Sequence, residues 1–432
     1  MFRFRLPLAW ALLACLAILA AVALALQPSA PFAGPQLRSY SLAPDKLHRA
    51  VAYSHWQYAL HFLGILWTVG TLAAILKYRV ASRLRDRVES ASGRRFLQEA
   101  LFVPGLLLTV DVPHLPLDLA GHWVNRYYGQ SVQDWGSWLR DWSKGELLEF
   151  AVAIVLGWIL YDAIRSSPRR WWFHFWLASL PILIFLLFIG PVVIEPMFFE
   201  FKPLGETQPS LVDALLRVVE RGGLAIPAER MYEMKASEKL NSLGAYVTGI
   251  GASRRVVVWD TLIARMTPPQ IQFVFGHEMG HYVLNHIPKQ IGFLAVLLLL
   301  ALLAGYHGMN WALDSWGSVW DIRGIEDWAS LPLLILIFVA AGFLSEPITN
   351  SLSRYFERQA DIYGLEVTFG IIPPAAQTGT EALQTLGEAD LAEPNPNPLI
   401  EFWLYDHPSI SKRMAFVQRY DPWSRNETQY VH

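Results

Sequence analysis

The chain alternates long apolar runs with short polar connections, a rhythm that predicts a bundle of membrane-crossing helices. Seven apolar segments can be marked off, over 6–26, 56–76, 96–120, 147–164, 171–194, 291–306 and 331–344. The first follows a flank carrying Arg3 and Arg5 and is longer than a secretory core, so 1–26 is expected to be a retained signal-anchor helix or first span. The third is interrupted by Pro104, Asp111, Pro113, His114, Pro116 and Asp118, which predicts a kinked helix or one lining a wet cavity. The sixth and seventh are short for spans, as helices would be that run on beyond the bilayer.

Between these runs, 121–145 and the tryptophan-bearing stretch between the sixth and seventh segments read as polar interface loops. A helix is expected over 210–221, a short β-branched strand over 254–259, and a second helix from Pro268 or Pro269. The predicted fold is a mainly α-helical polytopic membrane protein of about seven transmembrane helices with a small α+β protease region. Its divisions are 1–26 as first helix, 27–194 as N-terminal membrane domain, 195–290 as catalytic region, 291–347 as spans six and seven, and 348–432 as C-terminal catalytic region.

Composition agrees with a membrane class: 53% of the 432 residues are hydrophobic. The net charge of -2 gives no electrostatic footprint for nucleic acid, and the single cysteine, Cys15, excludes an intramolecular disulfide or a thiolate metal site. Nothing in the sequence sets the oligomeric state.

The candidate chemistry lies in QFVFGHEMGHYVLNH, 272–286. His277 and His281 are four apart, so a helix places both imidazoles on one face, with Glu278 beside them. This is the HExxH pattern. One zinc ion held by two neutral imidazoles activates water, and an adjacent carboxylate can take the proton and pass it to a leaving amine. Two buried, hydrogen-bonded core histidines would give the same spacing, so the pattern calls for a third ligand. NSLSRYFERQADIYG, 350–364, offers Glu357 and, four residues on, Asp361. Glu357 can complete a His-His-Glu site, and Asp361 can accept the free ring N–H of a bound histidine; the same segment also reads as an ordinary charged helix face.

Taken together, GHEMGHYVLNH and NSLSRYFERQAD resemble the integral-membrane CAAX prenyl endopeptidases and their bacterial relatives. The resemblance implies zinc ligands His277, His281 and Glu357 and a general base at Glu278. It extends to IEPMFFEFKPLGE at 194–206, to RYYGQSVQDWGSWLRDWSK at 126–144, and to RRVVVWDTLI at 254–263, which is similar to the family's edge strand. By the same resemblance His407 and Arg413 approach the substrate carbonyl to stabilise its oxyanion, and Asn285 and His286 match positions that support the metal helix. One departure stands out: the family's Asn-Ala-Tyr is here Gly244-Ala245-Tyr246, with Asn241 displaced upstream, which bears on how the substrate backbone is held.

The expected partners are a polypeptide substrate and the lipid bilayer, and the expected location is the cell (inner) membrane. Basic runs at 77–95 and 165–170 fall on the cytoplasmic side if all seven segments cross, which puts the catalytic region on the exoplasmic face. Characterised members of the resembled family work on the cytosolic side. The alternative to a protease is a non-catalytic scaffold or transporter, with Asp111, His114 and Asp118 lining a polar intramembrane cavity.

Overall fold

The computed structural model of the chain describes residues 38–249 and 254–431, so the expected first span lies outside the described residues. The helices of the first half are α1 (Pro44–Lys77), α2 (Val80–Ala91), α3 (Arg95–Tyr127), α4 (Trp135–Ser166) and α5 (Trp171–Ile189). β1 (Phe201–Pro203), α6 (Pro209–Arg221), β2 (Met231–Met234), β3 (Ala245–Thr248) and β4 (Arg255–Trp259) follow. Next come α7 (Pro268–Val283), α8 (His286–Trp320) and α9 (Leu331–Thr368). The chain closes with α10 (Ala375–Ala389), α11 (Pro398–Leu404) and α12 (Ile410–Val417).

Among the described residues six helices are long and apolar enough to cross a membrane, built on α1, α3, α4, α5, α8 and α9, and they coincide with the other six predicted segments. Their ends reach further than hydropathy suggests. Residues 121–145 are mostly helical, because α3 continues to Tyr127 and α4 starts at Trp135 on an Asp134 cap. The tryptophans 311, 316 and 320, expected in a loop, likewise lie on α8. Polar residues at a membrane interface end the apolar pattern without ending the helix, since both hydrogen-bond the backbone internally.

The third span is also continuous. Pro104, Pro113 and Pro116 all sit inside α3. Each removes one backbone donor, a loss membrane helices tolerate, and the neighbouring α1 adds a bond of its own to this stretch, from Trp67 Nε1 to the Pro113 carbonyl at 2.9 Å. On the same helix His114 pairs with Asp118 at 3.1 Å.

The bundle has two unlike ends. At one, α2 and the turn before α9 are tied by Arg85 to Asp327 and by Arg323 to Glu89. At the other, Lys46 on α1 meets Glu388 on α10 at 3.0 Å, and Tyr58 meets Tyr405 at 2.7 Å. There a second hydrophobic core, from Leu211 and Leu215 through Val256 and Phe273 to Val417, joins the sheet to α6, α7, α10 and α12.

The sheet runs β1-β2-β4-β3, with β2 and β4 parallel and the outer pairs antiparallel. The expected edge strand is therefore an inner one. Val256, Val257 and Val258 of β4 are all fully buried, as a strand covered on both faces requires, and the two edges belong to β1 and β3.

Candidate metal centre

α7 starts on a capping box in which Thr267 and Gln270 satisfy each other's backbone N–H groups, with Pro268 in the first turn. It lies against α9 closely enough to exclude side chains from the seam. A Cβ at Gly280 would sit 3.0 Å from the Ala360 Cα, and one at Gly364 would sit 2.9 Å from the His277 nitrogen. This approach brings Glu357 within reach of both histidines. α9 is also the seventh predicted span, so Glu357 and Asp361 ride on a membrane helix rather than on a separate soluble one.

His277 Nε2 and His281 Nε2 are 3.2 Å apart, and each is 3.2 Å from an oxygen of Glu357. These atoms lie within 4.8 Å of one another, as ligands to one metal ion must. Both rings are held from behind. His277 Nδ1 faces Asp361 Oδ1 at 2.9 Å, and Arg413 grips that carboxylate through Nη2 at 2.7 Å and Nε at 3.1 Å. His281 Nδ1 faces His286 Nδ1 at 3.2 Å, whose Nε2 faces Gln359 Oε1 at 3.1 Å. One proton assignment serves all three histidine contacts: His277 Nδ1–H donates to Asp361, His281 Nδ1–H to His286, and His286 Nε2–H to Gln359. It leaves both Nε2 lone pairs aimed at the same point. Glu357 Oε2 is buried there without a hydrogen-bond partner. Three converging acceptors with no proton between them suit a cation.

The electrostatics agree. Burial opposes a charge on His277, but the Glu357 and Asp361 carboxylates outweigh it and push this imidazole up to about 10. The site favours a positive charge, proton or metal. Burial also raises the Glu278 carboxyl, although His277 and His281 pull it part of the way back. Glu278 borders a cavity of about 410 Å³ lined in part by Gly244, Ala245, Phe273, His277, Asp390 and His407. His407 is half exposed and sets Nε2 3.2 Å from Glu357 Oε1 and Nδ1 2.8 Å from Asp406. Burial works against its charged form, yet the same two carboxylates hold it above the usual histidine range.

Several expected residues take other stations. Arg413 is buried, donates from Nε and Nη2 to Asp361 behind His277, and also borders the cavity that Glu278 and His407 line. Asn285, in the left-handed region at φ 55°, forms the joint between α7 and α8; its side chain reaches only the Val283 carbonyl, at 3.4 Å. That joint returns His286 to His281, which helix spacing within α7 could not have revealed. Gly244 and Ala245 border the cavity, whereas the Tyr246 hydroxyl bonds Glu195. A Cβ at Gly244 would sit 2.9 Å from the Trp259 indole, so tryptophan takes the space a side chain at 244 would need. Asn241 binds the Gly129 carbonyl at 2.6 Å, in the loop after α3.

A second cavity, of about 820 Å³, opens beyond His281 and Tyr282 between α5 and α8, lined by Leu183, Leu187, Phe188, Ile291, Leu294 and their neighbours. It is almost wholly apolar and extends along membrane helices.

Residues 206–421 match the model of peptidase family M48, and residues 31–200 match that of the CAAX prenyl protease N-terminal region, described as five membrane helices. The chain is 33% identical over 382 residues to the "uncharacterized metalloprotease YhfN" of Bacillus subtilis, covering 88% of this chain and 87% of that protein. It is 23% identical over 412 residues to CAAX prenyl protease 1 of Saccharomyces cerevisiae, covering 88% and 87%. In fold it is similar to the crystal structure of Ste24p from S. mikatae, with a TM-score of 0.76, 19% identity, and 95% and 97% of the two chains covered.

Proposed function

The chain belongs to peptidase family M48 and is a multi-pass membrane metalloprotease, and from that premise we propose a zinc-dependent endopeptidase cutting membrane-associated, misfolded or lipidated polypeptides. The observation that carries the proposal is the convergence of His277, His281 and Glu357 beside Glu278 at the head of a cavity. Zinc seated on these three ligands would lower the pKa of water and polarise the scissile carbonyl. Glu278, beside these ligands, would accept a proton from the attacking water and return it to the leaving amine, and its raised basicity suits both duties. His407, whose charged form Glu357 and Asp406 favour, would donate to the carbonyl oxygen as it becomes an oxyanion. Arg413 and Asp361 fix the His277 ring on one side, while His286 and Gln359 fix His281 on the other.

The free edge of β3 ends at the cavity rim, where an extended substrate strand can pair with its backbone. The apolar cavity beyond His281 would receive a membrane-embedded or lipid-bearing part of the substrate, in keeping with the prenyl proteases named among the relatives. We further propose that the metal faces the exoplasmic side of the cell membrane: Lys77, Arg79, Arg83 and Arg87, with Arg169 and Arg170, cluster at the opposite end of the bundle.

The test is metal analysis of the detergent-purified protein together with cleavage of an unstructured peptide library by wild type and Glu278→Gln. About one zinc per chain, with cleavage by wild type alone, is the expected result. Equal cleavage by the variant, or no zinc, overturns the proposal.

A further inference from the structure

The cavity on the Glu278 side of the metal is not uniformly lined. Leu243, Phe273, Leu383 and Leu386 form an apolar sleeve, and Asp390, which follows the end of α10, stands among them. Asp390 Oδ1 is enclosed and has no hydrogen-bond partner among the described residues, although the Leu243 backbone acts on the same carboxylate. The cations that act on this carboxylate, Arg265 and His407, do so at longer range without pairing, and Arg265 is itself exposed. Glu393, also in the lining, has one oxygen engaged by the Tyr58 hydroxyl at 2.9 Å. The cations in this lining, His407 and Arg413, are already paired with Glu357, Asp406 and Asp361, so the apolar sleeve around Asp390 offers that carboxylate no cation of its own. An uncompensated buried acceptor costs free energy that a matching donor recovers.

We infer that this cavity is a specificity pocket for a long basic side chain, lysine or arginine, on the substrate residue adjoining the scissile bond, with its aliphatic stem in the apolar sleeve and its charged end on Asp390. The two parts of such a side chain match the two parts of the wall. A leucine or norleucine would fill the sleeve and leave Asp390 unpaired, and a glutamate would meet like charge. Burial pushes the Asp390 carboxyl up to about 6, so it is still ionised at pH 7 and gains from a cation.

This inference rests on the protease proposal, and the experiment separates the two. The full-length zinc-loaded protein is given fluorogenic peptides of one sequence that carry lysine, norleucine, citrulline or glutamate on either side of the cleaved bond. Binding of the same peptides to zinc-loaded Glu278→Gln is measured in parallel. The expected result is a kcat/KM preference of about 10- to 100-fold for lysine over norleucine at one of the two positions, with the same order of affinities in Glu278→Gln. In Asp390→Asn, which keeps the side-chain shape, that ratio should fall to near one, and Asp390→Glu should restore it in part. Equal rates and equal affinities for lysine and norleucine overturn the pocket while leaving the protease intact. So does a lysine preference that survives in Asp390→Asn. If no peptide is cut, the protease proposal falls and the affinity series alone decides the pocket.

Discussion

Two cavities meet at the metal site from opposite sides, and they share almost nothing in their walls. The one beside Glu278 and His407 is small and mixed, edged by β3 and bearing Asp390 and Glu393. The one beyond His281 is twice as large and lined by leucine, isoleucine and phenylalanine of α5 and α8. The ligands repeat the contrast. His277 is backed by an ionic pair, Asp361 and Arg413, whereas His281 is backed by a neutral chain, His286 and Gln359, with His286 stacked on Phe356 at 4.4 Å. The difference teaches that one centre is braced in two ways: a buried ion pair stands behind the histidine beside the mixed cavity, and a neutral relay stands behind the histidine beside the apolar one.

The sharpest test of this division starts at the point common to both cavities. Glu278→Gln should lower kcat/KM by about 10²- to 10⁴-fold while zinc content, read by metal analysis, and peptide binding stay intact. Next come the two supports. Asp361→Asn and His286→Phe should each weaken zinc binding by about 10- to 100-fold in competition with a chelator. Affinity should also fall with pH in the wild type, because protons displace metal from a site that pushes His277 up to about 10. A support variant with unchanged zinc affinity would break the symmetry drawn here.

Filling the apolar cavity should divide the substrates. Leu294→Trp is expected to slow cleavage of a substrate carrying a membrane-embedded segment by about 10-fold and to spare a short soluble peptide; equal slowing of both would show that the cavity is not a substrate route. At the rim, Gly244→Asn should destabilise the fold by about 1–3 kcal/mol through its clash with Trp259, seen as a lower thermal midpoint in detergent and relieved by adding Trp259→Leu.

The smallest effect is a pH dependence at Asp390. Its folded-state value, about 6, lies above that of the unfolded chain, so its contribution to stability is fully present below about pH 4 and is lost as pH rises through 6. Asp390→Asn should therefore stabilise the protein by about 1–2 kcal/mol at pH 7–8 and by nothing at pH 4. A variant equally stabilised at both would rule out burial of the charge as the cause.

Much of this molecule could be read from the chain alone. Hydropathy located six of the helices later found among the described residues, because twenty apolar residues in water have no alternative to a bilayer or a core. The spacing of His277, Glu278 and His281 marked a candidate metal helix, and four-residue periodicity placed Glu357 and Asp361 on one face. These are local properties, set by 3.6 residues per turn.

Other features needed the tertiary structure. The left-handed turn at Asn285 brings His286 behind His281, and no periodicity crosses such a break. The order of the strands put β3 and not β4 at the edge, since pairing is decided by which surfaces must be buried together. Trp259 explains Gly244 only when fifteen residues of chain have folded back upon it. Asp390 is one more carboxylate in the sequence, and only the walls that α7, α10 and the loop before β3 close around it make it a candidate for recognition. The sequence by itself determined the helices and the residues that could serve as ligands, because periodicity and residue chemistry are carried by neighbours in the chain. Where the ligands are braced, which edge is free and what the cavities hold were decided by packing, because those depend on residues that meet only in three dimensions.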